Sequence, residues 1–104
     1  PANIATNIID LLVKVKESLP EFEVVLLGTN RCPFAKNNRD KISQLNSLLK
    51  EKTAEYEFIH FVDTEFIYCD ASGNELSSYF TDGLHPNHEG YLLAAGLIEA
   101  ALGL

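Results

Sequence analysis

Two short apolar runs, at residues 24–27 and 58–62, enclose a segment with helical periodicity, and this order constrains the fold more than any other feature. Both runs contain β-branched residues, and the first is bounded by Pro20 and Gly28. Continuous apolar runs of this length are typical of strands that helices cover on both faces. The segment between them, residues 38–52, carries an apolar stripe of Ile42, Leu45, Leu48 and Leu49. A strand, a helix and a strand in this order predict a parallel βαβ unit.

Apolar residues also recur at steps of three and four near both ends of the chain, and they predict two further helices. The first covers residues 4–19 and ends before Pro20, because a proline disfavours a helical conformation in the residue before it. The last covers residues from about 87 to 102 and is expected to pack closely against the sheet. The predicted core-facing residues are Ile4, Ile8, Leu11, Leu12, Val15 and Leu19 in the first helix, and Tyr91, Ala94, Ala95, Ile98, Ala101 and Leu102 in the last. This pattern assigns the 104 residues to the α/β class, as one domain or part of one.

Charge and composition narrow the classes of partner. A net charge of −7 argues against nucleic acid or an anionic membrane surface. No apolar run approaches the roughly 20 residues of a membrane span, and the chain opens at Pro1 without a recognisable leader peptide. Cys32 and Cys69 fit neither a dense disulfide scaffold nor a metal site, and whether they pair is left open, as is the compartment.

The richest chemistry lies in residues 80–87, where Asp82 and His85 are three residues apart on a turn that contains Gly83. A tight turn can point these two side chains at each other, so that the carboxylate holds the imidazole in one tautomer and stabilises the imidazolium formed on protonation. Pro86 is expected in the first turn of the last helix. The alternative is a purely structural role, in which Asp82 caps backbone N–H groups of that helix.

The other polar candidates have simpler interpretations. His88 is expected to be a solvated or packing residue in the first turn of the last helix, and His60 a core or sheet-face residue of the second strand. Arg31 follows the first strand in a turn-rich loop, where ligands of open α/β sheets commonly bind, but a solvated position is the default expectation. The stretch 70–74 is predicted to be a plain turn, since it lacks the length and ligand spacing of a calcium loop.

The last block resembles the final conserved block of the SGNH (GDSL-type) hydrolases, which are serine esterases and acylhydrolases with a three-layer, flavodoxin-like αβα fold. The residues that carry the resemblance are Asp82, Gly83, Leu84, His85, Pro86 and Asn87, followed by Gly90 and Tyr91. The resemblance implies that Asp82 and His85 complete a Ser-His-Asp triad for ester hydrolysis. It implies a small ester as substrate and neither a metal nor an organic cofactor.

The nucleophile that the resemblance requires is not found. That family carries its serine in a Gly-Asp-Ser context on its first strand. None of the serines of this chain has that context; they are Ser18, Ser43, Ser47, Ser72, Ser77 and Ser78. Two strands also make a poor sheet, because their outer edges remain unpaired. The expectation is therefore that residues 1–104 are the C-terminal part of a single SGNH hydrolase domain and are inactive without the N-terminal part. That part, or a second copy of the chain, would cover the edges of the sheet.

Two alternatives from other functional classes stay open. A non-catalytic binding or assembly module would keep this fold and only part of the site. A thiol hydrolase would use Cys32 as its nucleophile with His85 and Asp82, although a buried or bystander thiol is the commoner case.

Overall fold

The computed structural model describes residues 2–103 and contains three α-helices and two β-strands in the predicted order. The elements are α1 (Ala2–Ser18), β1 (Val24–Leu27), α2 (Arg39–Thr53), β2 (Ile59–Val62) and α3 (His88–Leu102). A 3₁₀ segment, Pro33–Asn38, precedes α2, and a single 3₁₀ turn, Ser77–Tyr79, lies between β2 and α3. The α/β assignment is confirmed.

The sheet confirms the predicted βαβ unit. Strands β1 and β2 pair in parallel, with Val24 opposite Ile59 and Leu27 opposite Val62. Helix α2 connects them and contacts both β2 and α1. The expectation that both strands are covered on both faces is wrong for β1, which the described residues leave only partly buried, with Leu27 43% exposed. Burial of a strand depends on what packs over it, which an apolar run does not specify.

Helix α1 ends at Ser18, as Pro20 requires, but its buried face is not the predicted one. The buried residues are Ala5 and Ile9, whereas Ile4 and Leu11 of the predicted stripe are exposed. The periodicity was sufficient to predict the helix, but α1 packs against α2 through a neighbouring face. Ile8, Leu12 and Val15 of the stripe are only partly buried, so the stripe is incompletely covered in the part of the chain that the structure describes.

Helix α3 also differs from expectation in its packing. Gly90 is its one buried residue among those described, and Tyr91 and Leu102 are 61% and 40% exposed instead of facing the core. Ala94 and Ile98 are only partly buried. The helix contacts the turn at 77–79 at its N-terminal end, so close packing against the sheet is not observed within residues 2–103.

Beyond the carboxyl ends of the strands the interior consists of a small apolar cluster and buried polar residues, and one further polar residue, Thr53, is buried at the end of α2. Cys32, Tyr68 and Phe80 make the cluster, with Ala35, Ile67 and Tyr79 packed against it. The buried polar residues are Asn46, Thr53, Thr64 and Glu65. Cys32 and Cys69 are both free thiols, so the disulfide left open by the sequence is not formed. None of the helices within residues 2–103 is long and apolar enough to cross a membrane.

Candidate active site

The segment between Phe80 and Pro86 forms a closed turn. These two residues pair as an isolated antiparallel bridge, and inside it the N–H of Thr81 donates to the carbonyl of His85 at 3.0 Å. Gly83 lies at the tip with φ of +81°, a left-handed conformation in which a side chain would be strained. A backbone hydrogen bond of the turn itself therefore closes it.

Within this turn the carboxylate of Asp82 accepts three hydrogen bonds. Its Oδ1 accepts from the backbone N–H of Leu84 at 3.0 Å and of His85 at 2.7 Å. Its Oδ2 lies 2.7 Å from Nδ1 of the His85 imidazole. The backbone N–H of His85, followed by its imidazole, lowers the pKa of Asp82 well below its ordinary value, so the carboxylate is ionised.

This geometry fixes the roles of the two imidazole nitrogens. Because the ionised carboxylate can only accept, Nδ1 of His85 must carry the hydrogen that faces it, and in the neutral ring Nε2 then holds the lone pair. The side chains of His85 and Asp82 are 67% and 54% exposed, and no residue within 2–103 makes a hydrogen bond to Nε2. The arrangement can accept a proton at Nε2 while Asp82 stabilises the resulting imidazolium.

The turn is attached to α3 through Asn87, which caps the helix. Its Oδ1 accepts from the N–H of Gly90 at 3.0 Å, while its own N–H and Nδ2 donate to the carbonyls of Tyr79 and Ser78. Asp82 is therefore not the helix cap; it does bind backbone N–H groups, as the structural alternative expects, but they are those of the turn itself. Pro86 lies one residue before the cap and not in the first helical turn, because Asn87 occupies the capping position.

Gly90 allows α3 to approach the core cluster closely. A Cβ at this position would lie 2.7 Å from the carbonyl oxygen of Tyr79 and 3.0 Å from Cβ of Pro86. The hydroxyl of Tyr68 donates to the Gly90 carbonyl at 2.9 Å, and burial raises the pKa of that phenol. The N-terminus of α3, directly after His85, is thus held against the buried interior.

A second polar group lies at the carboxyl ends of both strands, and the sequence did not indicate it. Arg31 donates from Nε to Oε2 of Glu65 at 3.1 Å and from Nη2 to Ser43 Oγ at 3.0 Å. Asn46 donates to the other oxygen of Glu65 and bonds both the N–H and the carbonyl of Thr29. We call Arg31, Ser43, Asn46 and Glu65 the strand-end network.

Burial corrects the expectation that Arg31 is solvated. The side chains of Arg31 and Glu65 are only 15% and 8% exposed, and the guanidinium stacks 4.5 Å from the centre of the Phe66 ring. Asn46 is the signal that was available: it is a polar residue inside the apolar face of α2, and buried polar groups are paired.

The remaining candidates lie outside the turn. His60 is exposed within β2, 3.2 Å from Glu23, so of its two expected positions the core is wrong and the sheet face is consistent. His88 is exposed in the first turn of α3, as expected. Cys32 is 5% exposed inside the apolar cluster, which agrees with a structural thiol. Among residues 2–103 no group of three or more His, Cys, Asp or Glu side chains is arranged to hold a metal ion.

The predicted turn at 70–74 is confirmed, and Asp70 is engaged within it. The Asp70 carboxylate accepts from the N–H groups of Ser72 and Asn74, both at 2.9 Å, and these bonds, chiefly that of Asn74, lower its pKa. An open cavity of about 520 Å³ lies elsewhere, lined by residues of α1 and α2 that include Ala2, Ser43 and Leu48. It includes no residue of the turn between Phe80 and Pro86, which we call the acid–histidine turn.

Comparison with known proteins gives a fold relationship. No family model and no curated protein matches the chain. Among solved structures, the chain is similar to a proposed platelet activating factor from Streptococcus pneumoniae, with a TM-score of 0.84 and 23% identity over 98% of this chain and 52% of that one. It is also similar to a proposed acylhydrolase from Bacteroides fragilis, with a TM-score of 0.76 and 27% identity over 98% of this chain and 51% of that one. The chain thus spans about half the length of these two structures, and it shares their fold.

Proposed function

We propose that this chain supplies the acid and the histidine of an ester hydrolase of the SGNH, or GDSL, type. The observation that carries the proposal is the 2.7 Å contact between His85 Nδ1 and Asp82 Oδ2, in a histidine side chain that is 67% exposed. The fold similarity to a proposed acylhydrolase supports the same reaction class. The final sequence block, Asp82 to Asn87, supports the family assignment.

In the proposed reaction, a serine from another polypeptide segment attacks the carbonyl carbon of a small ester. His85 Nε2 takes the hydroxyl proton as the Oγ–C bond forms, and the imidazolium then protonates the departing alcohol oxygen as the C–O bond breaks. His85 next takes a proton from water, whose oxygen attacks the acyl-enzyme, and returns it to the serine as the acid leaves. Asp82 orients the ring throughout.

Exposed apolar side chains on the chain support a second polypeptide segment as the source of the serine. Large apolar side chains are exposed on α1, on β1 and on α3, including Ile4, Leu11, Leu27, Tyr91 and Leu92. Strand β1 also has one unpaired edge in the two-stranded sheet. We propose that the amino-terminal part of the same hydrolase domain covers these surfaces, in keeping with the half-length match to the similar structures.

The test compares the 104-residue chain alone with the chain produced together with the polypeptide encoded upstream of Pro1. The chain alone is expected neither to hydrolyse p-nitrophenyl acetate nor to react with a fluorophosphonate probe, and the assembled protein is expected to do both. Hydrolysis and labelling by the isolated chain would place the nucleophile within it. If the assembled protein neither hydrolyses short acyl esters nor labels, the chain belongs to a binding or assembly module instead.

In the assembled protein, His85→Ala is expected to lower kcat by about a thousandfold or more, because no other group can take the serine proton. His88→Ala is the matched control, since it removes an exposed histidine three residues away and is expected to leave the rate within a few-fold of wild type. A His85→Ala rate within tenfold of wild type would remove His85 from the mechanism.

A further inference from the structure

Two contacts join residues 33–39 to residues 75–83. Arg39, the first residue of α2, donates through Nε and Nη2 to the two carboxylate oxygens of Glu75, with Nε and Oε2 2.8 Å apart. Five residues earlier, the N–H of Phe34 donates to the carbonyl of Gly83 at 2.8 Å. A two-pronged guanidinium–carboxylate contact fixes direction as well as distance, so the two segments are held at defined places.

The Phe34 contact leads directly to the carboxylate of Asp82. The carbonyl of Gly83 and the N–H of Leu84 belong to one planar peptide unit. Phe34 holds the carbonyl end of that unit, and the other end donates to Asp82 Oδ1 at 3.0 Å. If Phe34 releases the carbonyl, the peptide plane can rotate, and Asp82 then loses one of its three hydrogen-bond donors.

Few other contacts restrain the segment that carries Phe34. Cys32 and Ala35 pack in the apolar cluster at its start, but the Phe34 side chain is 76% exposed. Ala35 has φ of −111° and ψ of +31°, which interrupts the regular 3₁₀ geometry. At the other end of the segment, Arg39 binds Glu75. The side chain of Glu75 is fully buried and that of Arg39 is 37% exposed, so this ion pair attaches the end of the segment to the interior.

We infer that Arg39 and Glu75 are positioning residues for the acid–histidine turn, acting through residues 33–38 and the Gly83–Leu84 peptide on the carboxylate of Asp82. The relevant geometry lies wholly within the chain, so the inference does not depend on ester hydrolysis and can be tested without a reaction. Neither residue touches Asp82 or His85 through a hydrogen bond.

The test is NMR spectroscopy on the 104-residue chain with Arg39→Gln and Arg39→Lys. Arg39→Gln is expected to speed amide exchange at Phe34 and Leu84 by about tenfold or more relative to the amides of β1 and β2, as a local opening would. It is also expected to raise the pKa of Asp82, read from its carboxyl carbon. Arg39→Lys keeps the positive charge but cannot make the two-pronged contact with Glu75. Its effects on amide exchange and on the pKa of Asp82 should therefore lie between those of wild type and Arg39→Gln.

A control separates positioning from general loss of stability. Ile59→Val removes a methyl group from a buried position in β2 and is expected to lower the melting temperature without altering exchange at Phe34 or the pKa of Asp82. The inference is wrong if Arg39→Lys and Arg39→Gln leave both readouts at wild-type values, or if Ile59→Val changes them equally. Should Arg39→Gln fail to fold, Arg39→Lys alone decides between these outcomes.

Discussion

The acid–histidine turn and the strand-end network are both polar clusters, but they are built in opposite ways. The turn's side-chain hydrogen bonds join residues two to nine positions apart, and the side chains of Asp82 and His85 are more than half exposed. The network's contacts join residues 12 to 34 positions apart, and Arg31 and Glu65 are nearly buried. The proposed catalytic pair thus lies in an exposed, locally formed cluster, whereas the buried network is expected to contribute more to stability.

The largest expected effect breaks the network. Arg31→Met should lower the free energy of unfolding by about 3–5 kcal/mol, because it leaves the Glu65 carboxylate buried without its cation. Urea denaturation of the isolated chain measures this. Asp82→Ala is the matched comparison in the turn and should lower the denaturation midpoint by much less, since its carboxylate is more than half exposed. Equal losses in both variants would show that the two clusters do not divide stability and chemistry as described.

The contrast also explains which features the sequence could predict. Strand β1 lies at the predicted residues, α2 begins one residue from its predicted start, and the expected contact between Asp82 and His85 is present. Each depends on residues close in the chain, where spacing and turn chemistry decide the geometry. The catalytic role of the pair remains a prediction, because the contact alone does not establish it.

The features that the sequence did not predict all depend on distant partners. Arg31 and Glu65 lie 34 positions apart, so nothing local indicates that they pair. The incomplete burial of the apolar faces of α1 and α3 was not predicted for the same reason: periodicity identifies an apolar face without identifying what covers it. Gly90 is an intermediate case: its position after the final block was visible, but the close approach of Tyr79 was not.

A smaller effect is expected where the turn is attached to the interior. Gly90→Ala should destabilise the isolated chain by about 1–3 kcal/mol, because its Cβ would meet the backbone oxygen of Tyr79 and the ring of Pro86. Gly96→Ala, on the same helix, meets nothing within 4 Å and should instead stabilise by about 0.5–1 kcal/mol through helix propensity. Thermal unfolding of the two variants measures opposite shifts, and a common sign would mean that α3 is not held closely at Gly90.

The smallest expected effect is on the pH dependence of the melting temperature at acid pH, and it distinguishes buried from exposed carboxylates. The hydrogen bond from Arg39 is the main cause that lowers the pKa of Glu75 to about 2. Because this lies below the ordinary value of about 4.3 expected in the unfolded chain, the contribution of Glu75 to stability is complete above that value. It is lost as the pH falls through the folded pKa. Glu75→Gln should therefore melt below wild type at pH 7, with the difference shrinking toward pH 2.

Added salt sharpens this prediction, because it screens exposed charges more strongly than buried ones. The side chain of Glu75 is fully buried, so the difference between wild type and Glu75→Gln should persist in high salt. Asp82, whose pKa is also lowered and whose side chain is 54% exposed, should contribute a pH dependence of the same sign that salt reduces. A wild-type acid transition that Glu75→Gln leaves unchanged at both salt concentrations would mean that the Arg39–Glu75 pair does not contribute to the stability of the fold.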